Sequence, residues 1–162
     1  MSIVLARIDN RLIHGQVLEA WVPHAHANCI VVANNEIAEH PFQKTLMEAA
    51  VPKGIRVVIV SVDEAVTILN SKDLERSRVL LLFANSGDAL KAHRLGMGFS
   101  RLNLGNMHAG EGKRRLNCTI SLDQSDVENL ASLEKDGARI VSQCIPSDRE
   151  QNWRKLMKGQ VG

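Results

Sequence analysis

The chain has 162 residues, a net charge of +2 and 44% hydrophobic residues, enough to build one packed core. Aromatic residues make up 3% of the sequence, so the stacking surfaces used by single-stranded nucleic-acid binders are missing. The near-neutral charge, without a basic tail or a long charge run, also excludes an electrostatic nucleic-acid binder, and we expect no nucleic-acid partner.

The cysteines and the apolar runs indicate where the protein works. Cys29, Cys118 and Cys144 are far apart and odd in number, so we expect buried free thiols in a reducing compartment. The apolar runs have the length of strands and are too short to span a bilayer. The start of the chain lacks the basic segment and long apolar stretch of a signal peptide. These features predict a cytoplasmic protein.

Short apolar runs alternate with segments of helical periodicity along most of the chain. Strands are predicted at residues 2–9, 28–34, 55–61, 77–83, 100–105, 116–123 and 138–145. Helices are predicted at residues 15–22, 35–50, 61–70, 85–96, 123–137 and 147–158. We expect Pro23 to end the first helix, and Pro41 to lie in the first turn of the second or to mark a break before it.

Several of these strands are apolar throughout, which is typical of strands that are buried on both faces. Alternation of such strands with helices indicates parallel pairing through crossover connections. We therefore predict an α/β fold, with an open, mainly parallel sheet of about seven strands and helices on both faces. The chain shows no repeat or linker, so a single domain over residues 1–162 is expected.

Ligands of open parallel sheets bind beyond the carboxyl ends of the strands. Short polar residues and glycines follow the predicted strands, and such segments can offer backbone N–H groups to an anion. The candidate site residues are Asp9, Asn10, Arg11, His14, Gly15 and Gln16 after the first strand, Asn34 and Asn35 after the second, Ser86 after the fourth, and Gly105, Asn106 and His108 after the fifth.

The segment RIDNRLIHGQV, residues 7–17, carries the most specific chemistry. A neutral histidine can attack phosphorus, and an arginine can neutralise the charge of a phosphoryl group. His14, three residues after Arg11, is therefore a candidate phosphoryl carrier or general base. The alternative is a loop histidine that hydrogen-bonds to Asp9. Asp9 either orients His14 or accepts backbone N–H groups of the loop, and His108 either assists at the site or only lines its rim.

The same segment resembles the signature of the enzyme IIB components in the mannose, fructose, sorbose and N-acetylgalactosamine family of the sugar phosphotransferase system (PTS). Residues 30–57 resemble that family's second strand, helix and third strand, and residues 102–123 resemble its glycine-rich loop and following strand. The likeness therefore covers nearly the whole chain. It implies an open α/β fold of mostly parallel strands, in agreement with the pattern above.

The resemblance also implies a reaction and its partners. His14 would accept a phosphoryl group on Nδ1 from a IIA component, and Arg11 would contact the phosphate. The phosphoryl group would then pass to a sugar that enters through the membrane subunits IIC and IID. This would make the protein a protein-phosphohistidine–sugar phosphotransferase, held at the inner face of the membrane by IIC and IID. No metal or other cofactor is expected.

Two positions depart from the family pattern. Asn10 and Asn35 stand where many members carry an acidic residue. Both replacements remove negative charge near the expected site, and they leave the nucleophile in place. The segment GNMH, residues 105–108, is similar to the N-acetylgalactosamine-type members.

Other residue patterns indicate less specific alternatives. His24 and His26 form an i, i+2 pair and His40 lies farther along the chain, a spacing that matches no zinc motif, so surface histidines are favoured over a zinc site. Arg7 and Arg11, with Arg101 or Arg114, are expected to attract an acidic surface of the IIA component; for Arg101 and Arg114 a solvated surface position is the alternative.

The sequence leaves three functions open. The first is a carrier that takes phosphoryl on His14 and donates it to a sugar. The second is a regulatory protein of the same fold, which is phosphorylated on His14 but passes nothing to a sugar. Asn10 and Asn35 favour this second function. The third is an unrelated small-molecule-binding domain in which His14 is inert.

Overall fold

The computed structural model describes residues 1–159. The strands are β1 (Ser2–Asp9), β2 (Cys29–Ala33), β3 (Arg56–Val60), β4 (Arg78–Phe83), β5 (Arg101–Asn106), β6 (Arg114–Arg115), β7 (Ser121–Leu122), β8 (Arg139–Ser142) and β9 (Gln151–Asn152). The helices are α1 (Val22–Ala25), α2 (Asn35–Ala38), α3 (Pro41–Ala50), α4 (Val62–Leu69), α5 (Ser86–Arg94), α6 (Gln124–Lys135) and α7 (Trp153–Lys158). A π-helical turn (Val17–Trp21) leads into α1, and a 3-10 turn covers Lys72–Leu74. None of the helices in this range is long and apolar enough to cross a membrane.

Seven of the strands form one sheet, in the order β3-β2-β4-β1-β5-β8-β9. Every pair in it is parallel except β8 with β9. The first strand of the chain is therefore the central one, flanked by β4 and β5. We call the edge at which the parallel strands end the carboxyl edge. The predicted α/β class and the mainly parallel sheet are confirmed.

Both faces of the sheet are apolar. Successive residues of a strand point to opposite sides, so a strand that is apolar throughout presents apolar side chains on both faces. On β4, Val79, Leu81 and Phe83 pack into a cluster with residues of α4, α5 and α6. Leu80 and Leu82 of the same strand pack into a second cluster, which contains residues of the π turn and α1. All five side chains have 0% exposure. The prediction of helices on both faces is thus confirmed.

Pro41 begins α3, and the chain breaks before it, because His40 takes a non-helical conformation (φ −109°, ψ 87°). The predicted helix 35–50 is therefore divided into α2 and α3, as the expected break at Pro41 implies. The expectation that Pro23 ends the first helix is wrong. An α-helix would bring the ring of Pro23 against the carbonyl four residues earlier, whereas the π turn before it is wider. The helix continues to Ala25 and ends at His26, which is left-handed (φ 54°).

The predicted strand 116–123 is wrong as a strand of the main sheet. Asn117 Oδ1 accepts the backbone N–H groups of Thr119 at 2.9 Å and Ile120 at 2.7 Å, so the chain turns there. What remains is β7, which pairs with β6 in a small antiparallel ladder. The last strand of the main sheet is instead β9, inside the segment predicted as helix 147–158. That helix begins only at Trp153.

The cysteines also differ from expectation. Cys29 on β2 is buried, but Cys144 is partly exposed and Cys118 is exposed. Cys118 follows Asn117 in the turn just described, which places it outside any strand and explains its exposure. The prediction of buried thiols therefore holds for Cys29 alone.

We expect Leu81→Ala to lower the free energy of unfolding by about 2–5 kcal/mol, because it leaves a cavity in the centre of the sheet. Leu95→Ala is the matched control, since Leu95 is 47% exposed, and should change it by less than about 0.5 kcal/mol. Urea denaturation of both variants measures the difference. Equal effects of the two substitutions would contradict this description of the core.

Candidate functional site

Asp9, the last residue of β1, is a carboxylate with 0% exposure at the carboxyl edge. Its Oδ2 accepts hydrogen bonds from His14 Nε2 at 2.8 Å and from Asn106 Nδ2 at 3.1 Å. Its Oδ1 accepts the backbone N–H of Arg11 at 3.1 Å. The sequence left two roles open for Asp9, and the structure shows both: it holds the His14 ring and it accepts a backbone N–H of the loop.

The loop between Asp9 and His14 is folded back by a left-handed residue. Leu12 has φ 59°, and its N–H donates to the Asp9 carbonyl at 2.9 Å. For a residue with a Cβ this conformation costs about 1–2 kcal/mol. The Leu12 side chain is only 2% exposed and packs with Ile13 and Val17, which offsets that cost. The turn brings His14 back over Asp9, and leucine gives no turn signal in the sequence.

The charge on Asp9 fixes the hydrogen on the His14 ring. Burial alone raises the pKa of Asp9, but the hydrogen bond and charge of His14, the hydrogen bond from Asn106 and the charge of Arg7 together hold that pKa below its ordinary value. An ionised carboxylate only accepts, so His14 Nε2 carries the hydrogen of the 2.8 Å contact. In the neutral ring the lone pair then lies on Nδ1. The His14 side chain is 15% exposed.

Arg7 supports Asp9 from inside the protein. Its Nη2 lies 3.4 Å from Asp9 Oδ2 and donates to the Cys144 carbonyl at 3.0 Å. Its Nη1 donates to the side chain of Asn103 and to a backbone carbonyl at 2.8 Å, and the guanidinium lies 4.8 Å from the Trp21 ring centre. Burial lowers the pKa of Arg7, and the charge of Asp9 opposes this shift. The expectation that Arg7 attracts an acidic partner surface is wrong, because its exposure is 0%.

Gly105 on β5 leaves the space that Arg7 occupies. A Cβ at this position would lie 2.1 Å from Arg7 Cζ and 2.5 Å from Arg7 Nε. The guanidinium cannot easily move away, because it is buried and both of its terminal nitrogens are hydrogen-bonded. Sequence reasoning treated Gly105 as a backbone contact for an anion. The structure shows that it makes room for a buried arginine.

Arg11 borders an open cleft at the carboxyl edge; His14 is not among the residues that line it, but Asn106, which shares Asp9 with His14, is. The Arg11 side chain is 48% exposed, and its Nη2 donates to Gln16 Oε1 at 3.1 Å. The cleft has a volume of about 610 Å³, and His108 and Asn10 also line it. Its other lining residues are Asn106, Met107, Ala109, Arg115, Cys118, Thr119, Ser121 and Cys144. No Asp or Glu of the described chain is among them, so the cleft suits an anion.

Three predicted site residues have their hydrogen bonds elsewhere. Asn34 caps α2 and donates to Asp88 at 2.8 Å. Asn35 accepts the first N–H of α4 at 2.9 Å. Ser86 donates to a carboxylate of α6 at 2.7 Å. These side chains join neighbouring helices at the carboxyl edge. Within residues 1–159, His, Cys, Asp and Glu side chains form no group of three that could hold a metal ion.

Comparison with known proteins decides the family. Residues 3–161 match the family model described as PTS system sorbose subfamily IIB component. The chain belongs to this family. As a IIB component it is a phosphocarrier and a phosphotransferase of a sugar phosphotransferase system, which confirms the function that the first motif predicted.

Similar proteins agree with this membership. This IIB component is 36% identical over 152 residues to the PTS system sorbose-specific EIIB component of Klebsiella pneumoniae, covering 94% of this chain and 93% of the relative. The PTS system mannose-specific EIIAB component of Escherichia coli is 32% identical over 157 residues; the match takes in 97% of this chain but 49% of that longer relative. The crystal structure of the IIBSor domain of the sorbose permease from Klebsiella pneumoniae superposes with a TM-score of 0.94 at 34% identity, covering 99% of both chains.

We expect Gly105→Ala to lower the free energy of unfolding by about 1–3 kcal/mol, because the new methyl group overlaps the fixed Arg7 guanidinium. Gly15→Ala is the matched control. A Cβ at Gly15 meets no atom within 4 Å, and the residue is helical, so stability should stay the same or rise by about 0.5–1 kcal/mol. Urea denaturation compares the two. If Gly105→Ala left the free energy of unfolding unchanged, the Arg7 guanidinium would be free to move away from the new methyl group.

A pKa below the ordinary value of Asp, about 3.9, means that ionised Asp9 stabilises the fold above about pH 4. This contribution is lost as the pH falls through the folded-state pKa. We expect Asp9→Asn to lower the free energy of unfolding at neutral pH by about 3 kcal/mol, because Arg7 stays buried without its charge partner. The free energy of unfolding of this variant should also decrease less steeply, as the pH is lowered below about 4, than that of the unaltered chain. Denaturation at a series of pH values measures both effects.

Asp73→Asn is the control for that series, because the Asp73 side chain is 79% exposed. It should leave the stability within about 0.5 kcal/mol of the unaltered chain at each pH. If the free energy of unfolding fell equally steeply in acid for Asp9→Asn and for the unaltered chain, the buried carboxylate would not be the cause of the acid-induced loss of stability.

Proposed function

We propose that His14 is the residue of this IIB component that carries the phosphoryl group, and that the group is attached to Nδ1. The observation that supports this is the 2.8 Å hydrogen bond from His14 Nε2 to Asp9. It uses one ring nitrogen to fix the ring and leaves the lone pair of the other free to react. The buried carboxylate cannot itself reach a partner, whereas His14 is partly exposed.

The first transfer, from the donor to His14, needs no external base. Nδ1 of neutral His14 attacks phosphorus on the donor's phosphohistidine, so one N–P bond forms on His14 as the donor's N–P bond breaks. The donor nitrogen keeps the electron pair of the broken bond. The His14 ring becomes positively charged while its Nε2–H stays on Asp9, and the negative carboxylate stabilises that charge. In the second transfer a sugar hydroxyl attacks phosphorus, so an O–P bond forms as the N–P bond on His14 breaks. Nδ1 keeps the electron pair of that bond, the ring returns to its neutral form, and the hydroxyl proton passes to water.

Arg11 is the proposed contact for the phosphoryl oxygens. It lies three residues before His14, and Gln16 holds its guanidinium at 3.1 Å beside the cleft. We infer that Asn10, Asn106 and His108, which share this cleft, complete the surroundings of the transferred group. Asn35 is bonded to α4, so we propose that its amide serves the fold rather than the transfer. Asn10 lines the cleft beside Arg11. Its neutral amide does not repel an anion there, as the acidic residue of many family members would.

The partners follow from the family. The EIIAB relative, of which this chain spans about half, supports a IIA component as the phosphoryl donor. The proposed acceptor is a sugar that enters through membrane subunits IIC and IID; relatives are named for sorbose, N-acetylgalactosamine and mannose. We propose that residues 1–162 act as one domain in the cytoplasm, at the inner face of the membrane. The sugar-specific names favour transport over the regulatory alternative.

The first experiment loads the chain with phosphate from phosphoenolpyruvate, using enzyme I, HPr and a IIA component. We expect one acid-labile phosphoryl group on the unaltered chain and none on His14→Ala. His24→Ala is the matched control, since His24 is exposed in the helix that follows the loop. Intact mass gives the number of groups, and NMR of the phosphorylated ring identifies the nitrogen.

Each outcome of that experiment has a distinct meaning. Label that persists in His14→Ala would refute the proposed carrier residue. Label on Nε2 would refute the role given to Asp9. Label on His14 that no sugar discharges, with IIC and IID present, would favour the regulatory protein.

A further inference from the structure

Helix α3 turns an apolar face toward solvent. Phe42 and Leu46 lie one turn apart and are 74% and 55% exposed. Ala49, one further turn along, is exposed as well. Residues at positions i, i+4 and i+7 lie on one side of a helix, so these three side chains form one continuous surface. We call it the α3 face.

This exposure is not a result of crowding in the core. The chain has three phenylalanines, and the other two, Phe83 and Phe99, are 0% and 4% exposed. No residue of α3 is buried, and only the partly buried Met47 packs against the core from this helix. A surface helix normally points its largest apolar side chains inward. A helix that points them outward marks an interaction site.

The α3 face lies on the same side of the sheet as the proposed phosphoryl carrier. Met47 of α3 packs against the same cluster as Leu12, Ile13 and Val17 of the His14 loop and helix. Both segments therefore cover the same face of the sheet. Both also follow strands that end at the carboxyl edge, and only β4 separates β1 from β2. Helix α3 connects β2 to β3, which lie two and three strand spacings from β1, or about 10–15 Å, and this is less than the width of a docked protein domain.

The size of the α3 face indicates a transient partner. A helix of 10 residues is about 15 Å long and about 10 Å wide. Each subunit of a stable dimer contributes about 800 Å² of surface, far more than this helix alone presents. A protein that must bring a phosphohistidine to His14 and then leave again needs a small contact of this kind. Apolar anchors at i, i+4 and i+7 suit a groove on such a partner.

We propose that the α3 face is a docking surface for the IIA component that phosphorylates His14. The proposal rests on the proposed function, since it takes His14 as the acceptor. Phe42 and Leu46 would enter an apolar groove of the IIA component, while its phosphohistidine meets His14 and Arg11 at the carboxyl edge. They would contribute to the encounter and not to the chemistry.

The test combines Phe42→Gln with Leu46→Gln, which keeps α3 helical and removes the apolar face. Leu95→Gln is the matched control, because Leu95 is 47% exposed at the end of α5, on the other side of the sheet. Transfer from a phosphate-labelled IIA component is timed at several IIA concentrations. We expect the second-order rate constant to fall about tenfold in the double variant, with an unchanged rate at saturating IIA and no change in the control.

Several results would overturn the proposal. An unchanged second-order rate constant would show that IIA does not use the α3 face. An equal fall in the saturated rate would show that the substitutions disturb His14 itself. A dimer of the unaltered chain in sedimentation, abolished in the double variant with transfer unchanged, would assign the face to a second copy. If the labelled IIA component never phosphorylates the unaltered chain, the proposed function fails, and this proposal fails with it.

Discussion

The site depends on one constraint, a carboxylate that is buried at the end of the central strand. Asp9 has 0% exposure and is reached by His14, Asn106, the Arg11 backbone and Arg7. A buried charge is tolerated only when charged or polar partners surround it. Satisfying Asp9 therefore fixes the loop, the end of β5 and the buried arginine at the same time. The direction of the His14 ring and the position of its free nitrogen follow from that arrangement.

The sequence was sufficient for the sheet but not for its last strands. β2 and β4 are apolar on both faces, so their place in the middle of a parallel sheet can be predicted from composition alone. Residues 116–123 alternate between apolar and polar side chains, as a strand with one buried face does, but the Asn117 side chain captures the backbone N–H groups that a strand would use. β9 has only 2 residues and owes its pairing to β8, which no local pattern reveals.

The site was predictable where it depends on local sequence, and unpredictable where it depends on contacts between strands. His14 and Arg11 are recognisable from one continuous motif. Arg7 carried a signal that went unused: it lies two residues before Asp9, and alternation places both on one side of β1. Gly105 has no such signal, because the arginine it accommodates comes from another strand. The rule that ligands bind beyond the ends of parallel strands located Asn34 on the correct edge of the sheet. It could not show that the Asn34 side chain caps α2 instead of facing a ligand.

The π turn after His14 fixes the number of residues between His14 and Trp21. The turn contains one residue more than a regular helix needs, and Trp21 at its end both donates to the Cys144 carbonyl at 3.0 Å and covers Arg7. Deleting one residue between His14 and Trp21 would rotate the indole by about 100° around the helix, away from both contacts. An insertion or deletion in this stretch would therefore break both contacts, whereas the exposed turn at residues 110–112 has no such contact to lose.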